Sequence, residues 1–208
     1  MATSIKICGI RDADSLAKCI ALGVDWVGFN FVPDSKRWIE PEAAAALIAT
    51  IPSDGPIPVG VFKDQAPNNV LRVARKAAIK IVQLHGEEPV PYCAAVGGAF
   101  DIWKALPGDR MTKESFEDYA SVVDGFVLDG RIPGSGEGWD YAAAAEFFGI
   151  YNDLPVLLAG GLHPVNVAAA LRASSASGAD VASGVEEGGQ MRPELIEEFV
   201  RNARGGVS

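Results

Sequence analysis

Short runs of consecutive apolar residues recur from one end of the chain to the other. They lie near Ile5–Gly9, Trp26–Phe31, Pro58–Phe62, Ile79–Leu84, Phe100–Lys104, Val122–Leu128, Pro155–Ala159 and Ala179–Ser183. These runs do not alternate apolar with polar positions, so they suit parallel strands covered on both faces rather than a sheet with one wet side. Between them the spacing changes to a helical one, most clearly over Asp12–Leu22, Pro41–Thr50, Asn68–Ala77, Val165–Ala173 and Pro193–Asn202. Asp12 precedes Ala13, Leu16 and Ile20 as a cap, and Gly23 stops that segment. Pro41 and Pro164 are expected to open two of the later helices.

Counted as strand–helix units, the pattern predicts a single α/β domain, a (β/α)8 TIM barrel over residues 1–208. The fifth unit is the weakest, with only a brief helix expected over Met111–Tyr119. A doubly wound open sheet is the alternative, although its GxGxxG turn is absent.

Composition narrows the function classes. The 208 residues suit one buried core, and 27 acidic against 18 basic side chains give a formal charge of −9. That balance opposes nonspecific nucleic-acid binding but leaves room for a local anion pocket. No run reaches the roughly 18 apolar residues of a membrane helix. The N-terminus enters a strand almost at once, without a secretory leader. Cys8, Cys19 and Cys93 form neither a disulfide framework nor a zinc-binding spacing, which fits a reducing, cytoplasmic setting.

A barrel of this class carries its chemistry where strands end at their C-terminal side. That rule gathers Cys8, Asn30, Arg37, His85, Asp129, Gly160, Gly161, Ser183 and Gly184 along one rim. Cys8 has two readings, a small buried hydrophobe or a proton acceptor. Lys6 shares its strand parity; its charge would favour the thiolate, or it would serve an internal ion pair. Asp129 reads as a proton donor or as a turn-forming carboxylate, and Asp140 as an organiser of the sixth helix start. The glycines after strands seven and eight fit a phosphate grip of backbone N–H groups, or simple turns. Arg37 can hold a carboxylate through its planar fork or lie exposed in solvent, and Trp38 can pack its loop or stack on a ring.

Taken in order, the motifs resemble the phosphoribosylanthranilate isomerase family of tryptophan biosynthesis. They are Lys6-Ile7-Cys8-Gly9, Gly28-Phe29-Asn30-Phe31 with Ser35-Lys36-Arg37, Val82-Gln83-Leu84-His85-Gly86 and Leu128-Asp129. Further on come Gly134-Ser135-Gly136 through Trp139-Asp140, Leu158-Ala159-Gly160-Gly161-Leu162 and Ser183-Gly184-Val185-Glu186. The chain departs from the family pattern in three places. Lys36 stands where a proline is common, the sixth loop around Pro133 is compact, and Arg192-Pro193 replaces a lysine–aspartate pair.

The resemblance implies conversion of N-(5-phosphoribosyl)anthranilate to 1-(2-carboxyphenylamino)-1-deoxyribulose 5-phosphate, an Amadori rearrangement without cofactor or metal. It implies that Asp129 is the general acid at the ribose ring oxygen and Cys8 the general base at the adjacent carbon. It further assigns Arg37 to the anthranilate carboxylate and Gly160, Gly161, Ser183 and Gly184 to the phosphate. Asn30, His85 and Asp140 then shape the pocket. The implied partner is this small phosphorylated substrate, with no nucleic acid or membrane, and the implied state is monomeric. Of the other phosphate-binding barrels, indole-glycerol-phosphate synthase should show a different, lysine-and-glutamate-centred catalytic pattern, and a sugar-phosphate epimerase should lack the full Cys8–Arg37–Asp129 series. An isomerase that also serves histidine biosynthesis generally uses aspartates at both proton-transfer positions. A degenerate barrel acting as a binding scaffold is the non-enzymatic alternative.

Overall fold

The computed structural model describes residues 3–108, 112–130, 139–148 and 154–205. Eight strands run in sequence order: β1 (Ser4–Cys8), β2 (Trp26–Asn30), β3 (Ile57–Phe62), β4 (Ile81–Leu84), β5 (Asp101–Pro107), β6 (Gly125–Asp129), β7 (Val156–Ala159) and β8 (Gly178–Val181). Each pairs in parallel with the next, and β8 returns to β1 from Ser4↔Gly178 to Ile7↔Val181, closing the barrel. An open doubly wound sheet is thereby excluded.

Strand parity separates two cores. One set of side chains, including Val59, Ile81, Trp103, Val127 and Leu157, fills the barrel interior, where Trp26 and Trp103 meet edge to face at 4.9 Å. The opposite set, including Ile5, Ile7, Phe29, Val82 and Phe126, packs under the helices. Lys6, Gln83 and Asp180 are buried polar residues at inward-facing positions. No helix among the described residues is long and apolar enough to cross a membrane.

The covering helices are α1 (Ala13–Ala21), α2 (Pro41–Ile48), α3 (Pro67–Lys76), α4 (Val90–Gly97), α5 (Lys113–Ala120), α6 (Val167–Ser174) and α7 (Pro193–Ala203). Asp12 caps α1 by accepting from the Ser15 N–H at 2.8 Å, and prolines stand at the start of α2, α3 and α7, where a missing N–H costs nothing. Three elements depart from the pattern. Helix α4 escapes notice because Pro91 lies in its first turn, two glycines end it, and it buries only Cys93 and Val96. The sixth connection contributes a 3-10 helix, Tyr141–Glu146. Pro164 does not open α6 but sits in the turn before it, where the Asn166 side chain accepts from the His163 N–H at 2.8 Å.

Candidate active site

Cys8 closes β1 on the inward side, and Gly28 opposite it on β2 leaves space for the sulfur. A Cβ at position 28 would lie 2.7 Å from Cys8 Sγ, so Gly28 is glycine for room at the thiol. Below Cys8, Lys6 is fully buried and its Nζ donates to Asp180 Oδ1 at 2.9 Å. Burial pulls the Lys6 ammonium down, but Asp180 and Cys8 outweigh it and hold Lys6 above its ordinary value. Burial also pushes the Cys8 thiol up; Lys6 opposes this, Asp180 adds to it, and the net shift is upward. Both readings of Lys6 hold: it forms an internal ion pair with Asp180 and still favours the Cys8 thiolate, but burial of the thiol outweighs it.

Asp129 ends β6, half-exposed at the same rim. Its Oδ2 lies 3.0 Å from His85 Nε2, and His85 Nδ1 lies 3.0 Å from the Gln83 side-chain amide nitrogen. His85 thus meets Asp129 directly. Gly160, with φ +83°, could carry no ordinary side chain: a Cβ there would come within 2.8 Å of Asp129 Oδ1 and 2.5 Å of the Gly130 nitrogen. Trp139 lies across Gly108 and Gly130 and donates its indole N–H to the Ala159 carbonyl at 3.0 Å, covering the ends of β5, β6 and β7.

The loops after β7 and β8 abut, since a Cβ at Gly184 would overlap the Leu162 carbonyl. Tyr141 Oη donates to the Gly160 carbonyl at 2.9 Å and the Asn166 amide to the Gly161 carbonyl at 2.9 Å, fixing the orientation of both peptides. Ser183 and Gly184 lie in a single 3-10 turn, Ser183–Val185, followed by a hairpin of β9 (Glu186–Glu187) and β10 (Gln190–Met191). The four residues expected at the phosphate therefore stand on two adjoining loops.

Arg37 is neither solvent-exposed nor unpaired. Its Nε and Nη2 donate to the two oxygens of Glu186 at 2.6 and 2.8 Å, a bidentate pair across the β2 and β8 loops. Burial raises Glu186, but Arg37 and Lys36 lower it further, so it is held below the usual carboxylate range. The planar fork read from the sequence exists, with two of its donors on a carboxylate of the protein itself.

Asn30 Oδ1 accepts from the Val32 N–H at 2.8 Å and shapes the β2 loop. Asp140 is exposed and accepts from the Ala142 N–H at 3.1 Å at the start of its 3-10 helix. Gly134-Ser135-Gly136 lies outside the described residues. Sequence reasoning missed Asp180, Glu186, Gln83 and Gly28 as site residues. The signal available for Asp180 was an acidic residue inside an apolar strand at inward parity; for Gln83, an amide inside another.

A family model described as N-(5'-phosphoribosyl)anthranilate (PRA) isomerase matches residues 5–202. N-(5'-phosphoribosyl)anthranilate isomerase of Myxococcus xanthus is 37% identical over 212 residues, covering 98% of this chain and 97% of that one. The crystal structure of phosphoribosyl anthranilate isomerase from Thermus thermophilus superposes with a TM-score of 0.86 at 36% identity, covering 96% and 97% of the two chains. A phosphoribosyl anthranilate isomerase in complex with reduced 1-(o-carboxyphenylamino)-1-deoxyribulose 5-phosphate gives 0.84 at 31% identity, covering 98% and 99%. The match runs through every strand and loop of the site just described, and the chain belongs to the N-(5'-phosphoribosyl)anthranilate isomerase family.

Proposed function

We propose that Asp129 and Cys8 divide the proton transfers in the isomerisation of N-(5'-phosphoribosyl)anthranilate to 1-(2-carboxyphenylamino)-1-deoxyribulose 5-phosphate. The activity follows from membership of the family along nearly the full chain. One structural observation supports the division of labour: Cys8 and Asp129 sit at inward parity on the same rim, one enclosed and one open to solvent.

Asp129 gives a proton to the ribose ring oxygen as the bond from that oxygen to the anomeric carbon breaks. The anthranilate nitrogen lone pair forms a cationic C=N bond in its place. That cation acidifies the neighbouring C–H, and Cys8 as thiolate takes its proton. The C–H electrons form the enolamine double bond, and those of the C=N bond return to nitrogen. Tautomerisation, with a proton added at the former anomeric carbon and one lost from the enol oxygen, gives the ketone. Burial pushes the Cys8 thiol up, and Lys6 beneath it works in the opposite direction, toward the thiolate that takes this proton.

Gly160, Gly161, Ser183 and Gly184 are proposed to hold the phosphate through backbone N–H groups. Arg37, aimed by Glu186, is proposed to meet the anthranilate carboxylate with the guanidinium edge that Glu186 does not occupy. The direct test is conversion of freshly generated phosphoribosylanthranilate by purified protein, with turnover expected well above a catalyst-free control; none would overturn the activity. In the same assay Arg37→Lys should raise KM more than it lowers kcat, and an unchanged KM would remove the carboxylate role.

The chain is proposed to act as a monomer. Exposed large hydrophobics among the described residues are Trp38, Ile57 and Val165, and Ile57 lies at the barrel end opposite the other two. Light scattering after size exclusion should return the mass of one chain; a dimer mass would refute this.

A further inference from the structure

Gln83 is fully buried in the barrel, and its Oε1 is the buried side-chain polar atom without a partner among the described residues. Its other end faces His85 Nδ1 at 3.0 Å, and His85 Nε2 faces Asp129 Oδ2 at 3.0 Å. An amide that merely braced the ring would be fixed by a second bond at its far end. Here the imidazole alone decides which end of the amide it meets.

The proton inventory gives that freedom a use. With the Gln83 nitrogen donating to Nδ1, His85 carries its proton on Nε2 and donates it to the Asp129 carboxylate. Adding one proton to the pair protonates Nδ1 in either arrangement that keeps the His85–Asp129 bond, imidazolium with carboxylate or imidazole with carboxylic acid. The amide must then make a half-turn and present Oε1. We propose that His85 and Asp129 share the proton that Asp129 delivers, and that Gln83 is a positioning residue whose amide turns with the loading of that pair. This rests on the reading of Asp129 as the general acid. On delivery Asp129 gives its proton to the ring oxygen; His85, still carrying the Nδ1 proton, then exchanges it through solvent at the open rim for one on Nε2, which leaves Nδ1 bare for the amide nitrogen.

Other charged groups surround this end of the barrel. Lys6 and Cys8 stand on β1 and Asp180 on β8. Tyr141 follows β6 and senses Asp129; burial pushes its phenol up, and the carboxylate adds to this. Asp64 and Glu87 lie beside Gly86 on the β3 and β4 loops, and Lys104 pairs with Glu88 behind them. Arg37 and Glu186 close the rim on the β2 and β8 side. Of all these groups, only Gln83 contacts Nδ1 in the described structure.

The chain has two histidines, so ¹⁵N-histidine labelling resolves His85 from His163, with His163→Asn for assignment. In the wild type, Nδ1 should be protonated on the acid side of a limb of the single-turnover rate profile and bare on its alkaline side. Gln83→Glu, which as a carboxylate can only accept, should move both the titration and that limb up by about one pH unit. Gln83→Met should not move them upward. Nδ1 in the same state on both sides of the limb would overturn the proposal, as would Glu and Met variants that shift alike or not at all. Turnover surviving in Asp129→Asn would instead sink the acid assignment. An inactive Asp129→Asn with an unmoved limb in Gln83→Glu would sink only the role of Gln83.

Discussion

Cys8→Ala and Asp129→Asn each lower the single-turnover rate by about 10³-fold, a barrier increase of about 4 kcal/mol, while the protein remains folded. Asn at 129 can still accept from His85 Nε2, which now lies 3.0 Å from Oδ2, so that variant loses the proton and little else. Ala at 8 removes one sulfur from a position already walled by Gly28 and Lys6, costing the site a small cavity but not its frame. Because the two groups act in succession on one substrate, the double variant should be only slightly worse than either single one. Circular dichroism establishes folding, and a rapid-mixing assay with substrate in excess of KM reads the chemistry. A rate within tenfold of wild type in a folded variant would remove that residue from its role.

What made these two residues legible was parity and position. A cysteine and an aspartate that each close an apolar run are conspicuous, and the barrel rule turns that into a shared rim. What the residue pattern concealed was mostly the identity of partners. Lys6 and Asp180 lie 174 positions apart, so their ion pair beneath Cys8 cannot be read locally. The same holds for Arg37 and Glu186, 149 positions apart. Strand boundaries failed for a related reason. β5 continues through Lys104 to Pro107, although a lysine reads as the place where a buried strand stops. Conversely, Ile79 and Val122 are apolar but belong to the approaches; Ile79 donates to the Ala74 carbonyl at the end of α3, and Val122 to the Tyr119 carbonyl at the end of α5. Apolar content marks burial, and burial extends past the hydrogen-bonded ladder.

Lys104 also carries a stability prediction. Its Nζ donates to Glu88 Oε2 at 2.9 Å and to the Gly86 carbonyl at 2.7 Å, and both side chains are almost wholly buried. Glu88 in turn accepts from the N–H groups of Asp64 at 2.8 Å and Gly86 at 2.9 Å. The pair therefore holds the β3 and β4 loops together, and the second of these carries His85. Glu88→Gln leaves the Lys104 ammonium buried without its counter-charge, so it should destabilise the protein by about 3–5 kcal/mol near neutral pH. For a chain of this size that lowers Tm by roughly 10 °C. Burial pushes Glu88 up, but Lys104 and the Asp64 N–H outweigh it and hold the carboxyl below its ordinary range. A carboxyl lowered by folding stabilises above its unfolded value of about 4.3 and loses that contribution as pH falls through the folded value. The gap between wild type and Glu88→Gln should thus be constant around neutrality and close in acid, where the wild-type carboxyl gains the proton that the amide mimics. Urea unfolding of both proteins across that range measures it. A gap below about 1 kcal/mol at neutral pH, or one that persists unchanged in acid, would show that the ion pair does not hold these loops.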